Sequence, residues 1–217
     1  MSAQPCRTFK DRAQAGRELA DAVAASKPAA PLLVLGLPRG GVPVAFEIAR
    51  RLAAPLDVLV VRKVGLPGQP ELALGAIAAG GVQVRSGMLP PDRVSQEEFA
   101  RLARREMLEL RRREQTYRAG KPPLALRGTH VVLTDDGLAT GATMLAAIEA
   151  ARQGGARRVT VAVPVAAREA GAVVRAAADE VVILLSPPSL GAVGEFYDDF
   201  AQLTDDEVLR LLRAAQP

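Results

Sequence analysis

Aromatic residues are scarce in this chain: they make up 3% of its 217 residues, and tryptophan is absent. Its core must therefore be aliphatic, drawn from the 49% of residues that are hydrophobic. Aliphatic cores suit buried parallel strands, which read as unbroken Val, Ile and Leu runs. The one cysteine, Cys6, excludes an internal disulfide and fits a reducing compartment. The one histidine, His130, precedes an apolar run and reads as a polar residue at a strand edge. No His, Cys and Asp cluster shows metal-ligand spacing, so no dedicated metal cage is expected. No apolar run approaches the roughly 18 residues of a membrane helix, and the N-terminal stretch has no apolar signal segment. These shortages describe a soluble, cytoplasmic protein.

Length and charge narrow the classes further. The chain suits one sizeable α/β domain, with or without a small lobe, and is short for two full domains. A net charge of +4 fits an anionic small molecule as readily as nucleic acid, and chooses neither.

Apolar runs bounded by Gly or Pro alternate with helical stretches. Strands are expected at 32–35, 57–61, 131–134, 159–163 and 181–185, with a shorter apolar stretch at 72–77 and a short strand at 82–84. Helices are expected at 42–52, 143–153 and 168–178, and 62–70 reads as a loop. The alternation predicts βαβ units around a parallel sheet. Two segments stand outside it. Ser95 and Glu98 form a capping box for a helix to about residue 118, rich in both signs of charge. After Ser186-Pro187-Pro188 the chain leaves the alternation, and Thr204 and Glu207 cap a last short helix. The expected organisation is a core over 1–185, with an inserted helix at about 95–118, and a C-terminal lobe over 186–217.

Thirteen residues carry the strongest chemical signal: Val131-Val132-Leu133-Thr134-Asp135-Asp136-Gly137-Leu138-Ala139-Thr140-Gly141-Ala142-Thr143. An apolar strand ends in two adjacent carboxylates, at the end where α/β folds place ligands. A small-residue loop then opens a helix, whose free amides and dipole suit a phosphate. Thr140 and Thr143 add hydroxyls. Paired acids accept hydrogen bonds from vicinal sugar hydroxyls, which a bare phosphate site would not need. The bland alternative, a helix cap and a turn, does not call for two acids, two threonines and a glycine together.

This stretch resembles the phosphoribosyl pyrophosphate (PRPP) signature of the type I phosphoribosyltransferase family, and the element order agrees from about residue 32 to 185. The resemblance implies a parallel α/β sheet flanked by helices, with a C-terminal hood. It implies that Asp135 and Asp136 bind the ribose hydroxyls, and that Ala139, Thr140, Gly141, Ala142 and Thr143 bind the 5-phosphate. Gly36-Leu37-Pro38-Arg39-Gly40-Gly41 follows the first strand and matches the family's pyrophosphate loop, so Arg39, Gly40 and Gly41 are expected there. Arg is suited to bidentate phosphate contacts. Arg62 and Lys63 open the expected loop at 62–70, which matches the family's flexible loop and would close over pyrophosphate; the alternative is a solvated surface loop.

Some purine-using members carry an Asp at the position of Ala139, so the motif assigns no general base here. Glu71 is the candidate for proton handling, unless it only pairs with Arg62 or Lys63. Phe196 and Tyr197 lie in the one aromatic cluster and are candidates for stacking a base, against the commoner role of anchoring the lobe. The function implied is transfer of ribose 5-phosphate from PRPP to a nucleobase or similar heterocycle in nucleotide salvage, with substrate-borne Mg²⁺ and release of pyrophosphate. A PRPP-sensing regulator that binds nucleic acid through the arginine-rich helix ranks second. Mixed charges on that helix suit a solvated face or a homodimer contact better than a nucleic-acid stripe.

Overall fold

The computed structural model describes residues 8–66, 69–79, 82–85 and 94–215. In chain order the elements are α1 (Arg12–Ala25), β1 (Leu32–Gly36), α2 (Gly41–Leu52), β2 (Leu56–Val58), β3 (Val61–Leu66), β4 (Gln69–Ala78), β5 (Val82–Arg85), α3 (Gln96–Arg118), β6 (His130–Thr134), α4 (Ala142–Gln153), β7 (Arg158–Val165), α5 (Arg168–Ala177), β8 (Glu180–Leu185) and α6 (Asp205–Ala214). A 3-10 turn, Val193–Phe196, lies between β8 and α6.

Five strands form a parallel sheet in the order β2-β1-β6-β7-β8. Every residue of β6 is buried, and the apolar run Val131-Val132-Leu133 at its centre is what a central strand requires. Val34, Val132 and Ala162 pack on one face with Val42, Ala45 and Ile48 of α2 and Leu19 and Val23 of α1. Val131, Leu133 and Val161 pack on the other with Met144, Ala147 and Ile148 of α4. Burial of each such Val, Leu or Ile contributes roughly 1.5–3 kcal/mol. Alanines at 146, 147, 150 and 151 keep the buried side of α4 flat against the sheet.

This order positions a site. From β1 the chain passes through α2 outward to β2, and from β6 through α4 outward to β7. The two helices take opposite faces of the sheet, so the loops leaving β1 and β6 diverge and open a crevice at the strands' carboxyl ends. In parallel α/β sheets this switch point is where ligands bind.

Several elements differ from the sequence expectation. The run at 57–61 is two strands: β2 ends at Val58, and β3 begins at Val61. The segment expected as a loop over 62–70 is largely strand, because β3 pairs antiparallel with β4 and β4 with β5 in a second small sheet. Gly65 sits where the β3–β4 register shifts, so the glycine that suggested a loop marks an irregular pairing. Helix α3 packs on β3 and β4. Ser95 caps it by accepting the Glu98 amide at 3.1 Å, while Glu98 turns its carboxylate to Arg101. Helix α1, capped by Asp11, was not expected.

His130 is buried between strands, not at an edge. Its Nδ1 accepts the Ala29 amide at 3.2 Å, which places its proton on Nε2, 2.8 Å from Thr160 Oγ1. Burial first, then Arg158, holds its pKa below the ordinary histidine value. Among the described residues no helix is long and apolar enough to cross a membrane.

Candidate active site

The loops after β1 and β6 meet in the crevice. Leu37 donates its amide to the Thr134 carbonyl at 2.9 Å, extending the β1–β6 pairing by one rung. The Pro38–Arg39 peptide is cis. At Gly40 a Cβ would fall 2.0 Å from Asp136 Oδ2, and at Gly41 one would fall 2.6 Å from the Thr134 carbonyl oxygen. Position 41 therefore requires glycine by contact with backbone, and a side chain at position 40 would displace the Asp136 carboxylate. The Arg39-Gly40-Gly41 turn and the acid pair form one wall.

Asp135 and Asp136 follow the last residue of β6. Asp135 Oδ1 accepts the Asp136 amide at 2.9 Å. Asp136 pairs with Arg12 of α1, Nε to Oδ2 at 2.8 Å, and its carbonyl accepts the Tyr197 hydroxyl at 2.6 Å. Burial, and then the charge of Asp136, push the Asp135 carboxyl well above its ordinary value. Burial raises Asp136 too, and Arg12 opposes the rise. Two carboxylates held together and largely shielded from water are costly to the empty fold, so they read as acceptors waiting for donors.

The loop beyond them is pinned at Leu138, whose amide donates to the Val165 carbonyl and whose carbonyl accepts the Ala167 amide, both at 2.9 Å. Ala139 and Thr140 are exposed, and Gly141 precedes α4 with φ of 78°. An L side chain rarely adopts that backbone, hence the glycine. Helix α4 has no side-chain cap and no acid in its first turn; only a 3.5 Å contact from the Ala142 amide to Thr140 Oγ1 is present. With Thr143 beside them, the first-turn amides and the positive dipole end are left for an anion.

The remaining predicted residues are distributed differently. Arg39 lies at the crevice wall, with Nη1 3.9 Å from Asp205 Oδ1 at the start of α6. Asp205 also accepts the Tyr117 hydroxyl of α3, and burial with that bond pushes Tyr117 up to about 12. Arg62 lies on β3 and is paired with Glu106 of α3 at 2.6 Å; Lys63 is its neighbour on the strand. The Glu71 side chain lies outside the described residues.

Phe196 and Tyr197 are 4% and 6% exposed and pack with Phe9 and Val165, so they anchor the C-terminal segment and offer no open ring face to a base. That corrects the stacking role considered for them. On α3, Glu98 pairs with Arg101, and Glu109 with Arg112 and Arg113. The arginine-rich helix is thus cross-linked by its own acids, which weighs against a nucleic-acid face.

Sequence reasoning missed Arg12, which is 124 residues from its partner Asp136. One local signal was present: a cation in the first turn of a helix opposes the macrodipole and implies another partner.

Comparison with known proteins agrees with this geometry. The family model described as phosphoribosyl transferase domain matches residues 8–189. A Mycobacterium tuberculosis protein provisionally named a phosphoribosyl transferase is 47% identical over 208 residues, covering 95% of this chain. The chain spans 47% of that relative's length. A solved structure from Thermus thermophilus is 48% identical, with a TM-score of 0.86, covering 98% of this chain and 100% of that one. The chain belongs to the type I phosphoribosyltransferase family.

Proposed function

We propose that the protein is a phosphoribosyltransferase that transfers the ribose 5-phosphate of PRPP to a nucleobase or similar nitrogen heterocycle, as in nucleotide salvage. The observation that carries this reading is the crevice itself: paired, half-buried acids at the end of β6, contacted by Gly40 of the neighbouring loop and followed by an uncapped helix.

In this reading Asp135 and Asp136 accept hydrogen bonds from the ribose 2- and 3-hydroxyls. The 139–143 loop holds the 5-phosphate through amides and the Thr140 and Thr143 hydroxyls. Arg39, with Gly40 and Gly41, holds the pyrophosphate. Arg62 and Lys63 of β3 are assigned to the same charge, Arg62 only after leaving Glu106. Mg²⁺ would come with the substrate and would neutralise charge on the departing pyrophosphate. The bond from ribose C1 to pyrophosphate breaks, a bond from C1 to the ring nitrogen forms, and that nitrogen gives up its proton; Glu71 is the candidate acceptor. Charge spreads over the sugar as in glycoside cleavage, so fixed position and electrostatics supply most of the rate.

The test is PRPP and Mg²⁺ incubated with a panel of purines, pyrimidines and other heterocycles, scored by base-dependent pyrophosphate release. Release with one base class identifies the acceptor. Binding of PRPP without release across the panel would turn the assignment toward a sensor. Exchanging both acids, Asp135→Asn with Asp136→Asn, is expected to abolish the thermal shift produced by PRPP while the fold persists.

A further inference from the structure

We propose that Arg12 is a positioning residue of the sugar site: it grips the inner oxygen of Asp136, leaves the outer one for the ribose diol, and is held in place by the C-terminal segment. The inference rests on the function proposed above and assigns a part of it to α1 and to residues 197–201.

The two oxygens of Asp136 are not equivalent. Oδ2 receives Arg12 Nε at 2.8 Å and faces Gly40, where a Cβ would come within 2.0 Å of it. Oδ1 stands farther from Gly40, at 3.0 Å from the same point, and the Arg12 bond does not use it. The carboxylate is therefore walled and paired at Oδ2, with Oδ1 outside that pairing. The side chains of Arg12 and Asp136 are 11% and 15% exposed, so their attraction is weakly screened.

Arg12 uses two nitrogens of its guanidinium and the flat face. While Nε serves Asp136, Nη1 donates to the Ala201 carbonyl at 3.0 Å, and the planar group lies over the Phe200 ring at 3.8 Å. Phe200 stacks on Tyr197, and the Tyr197 hydroxyl binds the Asp136 carbonyl. The C-terminal segment thus fixes Asp136 twice, through its backbone and, by way of Arg12, through its side chain. A lysine keeps the charge but lacks both the fork and the flat face. Without Arg12, Asp136 would turn from its like-charged neighbour Asp135, and the sugar site would lose an aligned acceptor.

The experiment compares Arg12→Met and Arg12→Lys with wild type for binding of PRPP and of inorganic pyrophosphate, which lacks the sugar. Arg12→Met is expected to weaken PRPP by about 30-fold or more, as loss of one member of a buried charge pair does, and to leave pyrophosphate within about threefold. Arg12→Lys is expected to recover part of the PRPP affinity. Should Arg12→Met fail to fold, Phe200→Leu removes the platform while keeping the charge, and is expected to weaken PRPP selectively. PRPP affinity unchanged in these variants overturns the inference, and so does equal weakening of PRPP and pyrophosphate. Wild-type protein that does not bind PRPP defeats the proposed function, a result read before any variant is made.

Discussion

Helix α6 begins at Thr204, whose hydroxyl accepts the Glu207 amide while the Glu207 carboxylate accepts the Thr204 amide, with Asp205 and Asp206 adding charge to the first turn. Helix α4 begins at Gly141 with neither a capping side chain nor an acid. Both are short amphipathic helices of one fold, and both start with unpaired amides by geometry. One has its partners written into its own sequence. The other has them withheld, beside two half-buried carboxylates. A helix start left unsatisfied by its own chain, at a sheet switch point, is the difference between a structural end and a receiving one.

The largest test of that contrast gives α4 the charge that α6 already has. Thr143→Glu sets a carboxylate where the 5-phosphate is expected. PRPP affinity should fall by about two orders of magnitude, since like charges in close contact cost several kcal/mol. The melting temperature should hold or rise, because an acid favours a helix start. Calorimetric titration beside a thermal melt reads both.

Asp135→Asn sharpens the comparison through pH. The folded protein keeps a proton on Asp135 to higher pH than the unfolded chain does. Its contribution to stability is therefore full below the ordinary aspartate value and is lost as pH rises through the raised one. The Asn variant should melt higher than wild type at pH 7, the gap closing as pH falls below the ordinary carboxylate range, and PRPP should no longer shift it. A wild-type melt as high as the variant's at pH 7 would show that the empty acid pair carries no cost.

The smallest effect is expected at the capped end. Thr204→Ala should cost about 1 kcal/mol, as loss of an N-cap does, with PRPP affinity within about threefold of wild type. Chemical denaturation and the same titration check it. A large loss of PRPP binding there would mean that the two helix starts are not separate in function.

How much of this was legible in the sequence follows from where each partner lies. The acids, loop and helix start of residues 131–143 are contiguous, so strand pattern and turn chemistry expose them together. Strands β1, β6, β7 and β8 read correctly because apolar runs such as Val131-Val132-Leu133 mark strands of a parallel sheet, whereas the run at 57–61 hid the end of β2 and the start of β3. Segment 62–70 misled because its glycines and prolines read as turn residues, while the pairing of β3 with β4 decides the backbone of residues 62–66. Arg12 and Phe200 could not be connected with Asp136 by any local rule: packing of α1 and the C-terminal segment brings them together. Phe196 and Tyr197 were visible as a cluster, but composition does not say which aromatic rings are covered.

The zipper between Leu37 and Thr134 has a consequence for how the donor and the fold support each other. Its two sides belong to strands adjacent in the sheet but separated in the chain by β2, the whole antiparallel sheet and α3. A molecule that touches both loops acts as a reversible staple across that long excursion. Its binding energy then adds to the free energy that keeps β1 beside β6, increasing with the logarithm of ligand concentration. Occupancy of the crevice and resistance to unfolding become two readings of one equilibrium.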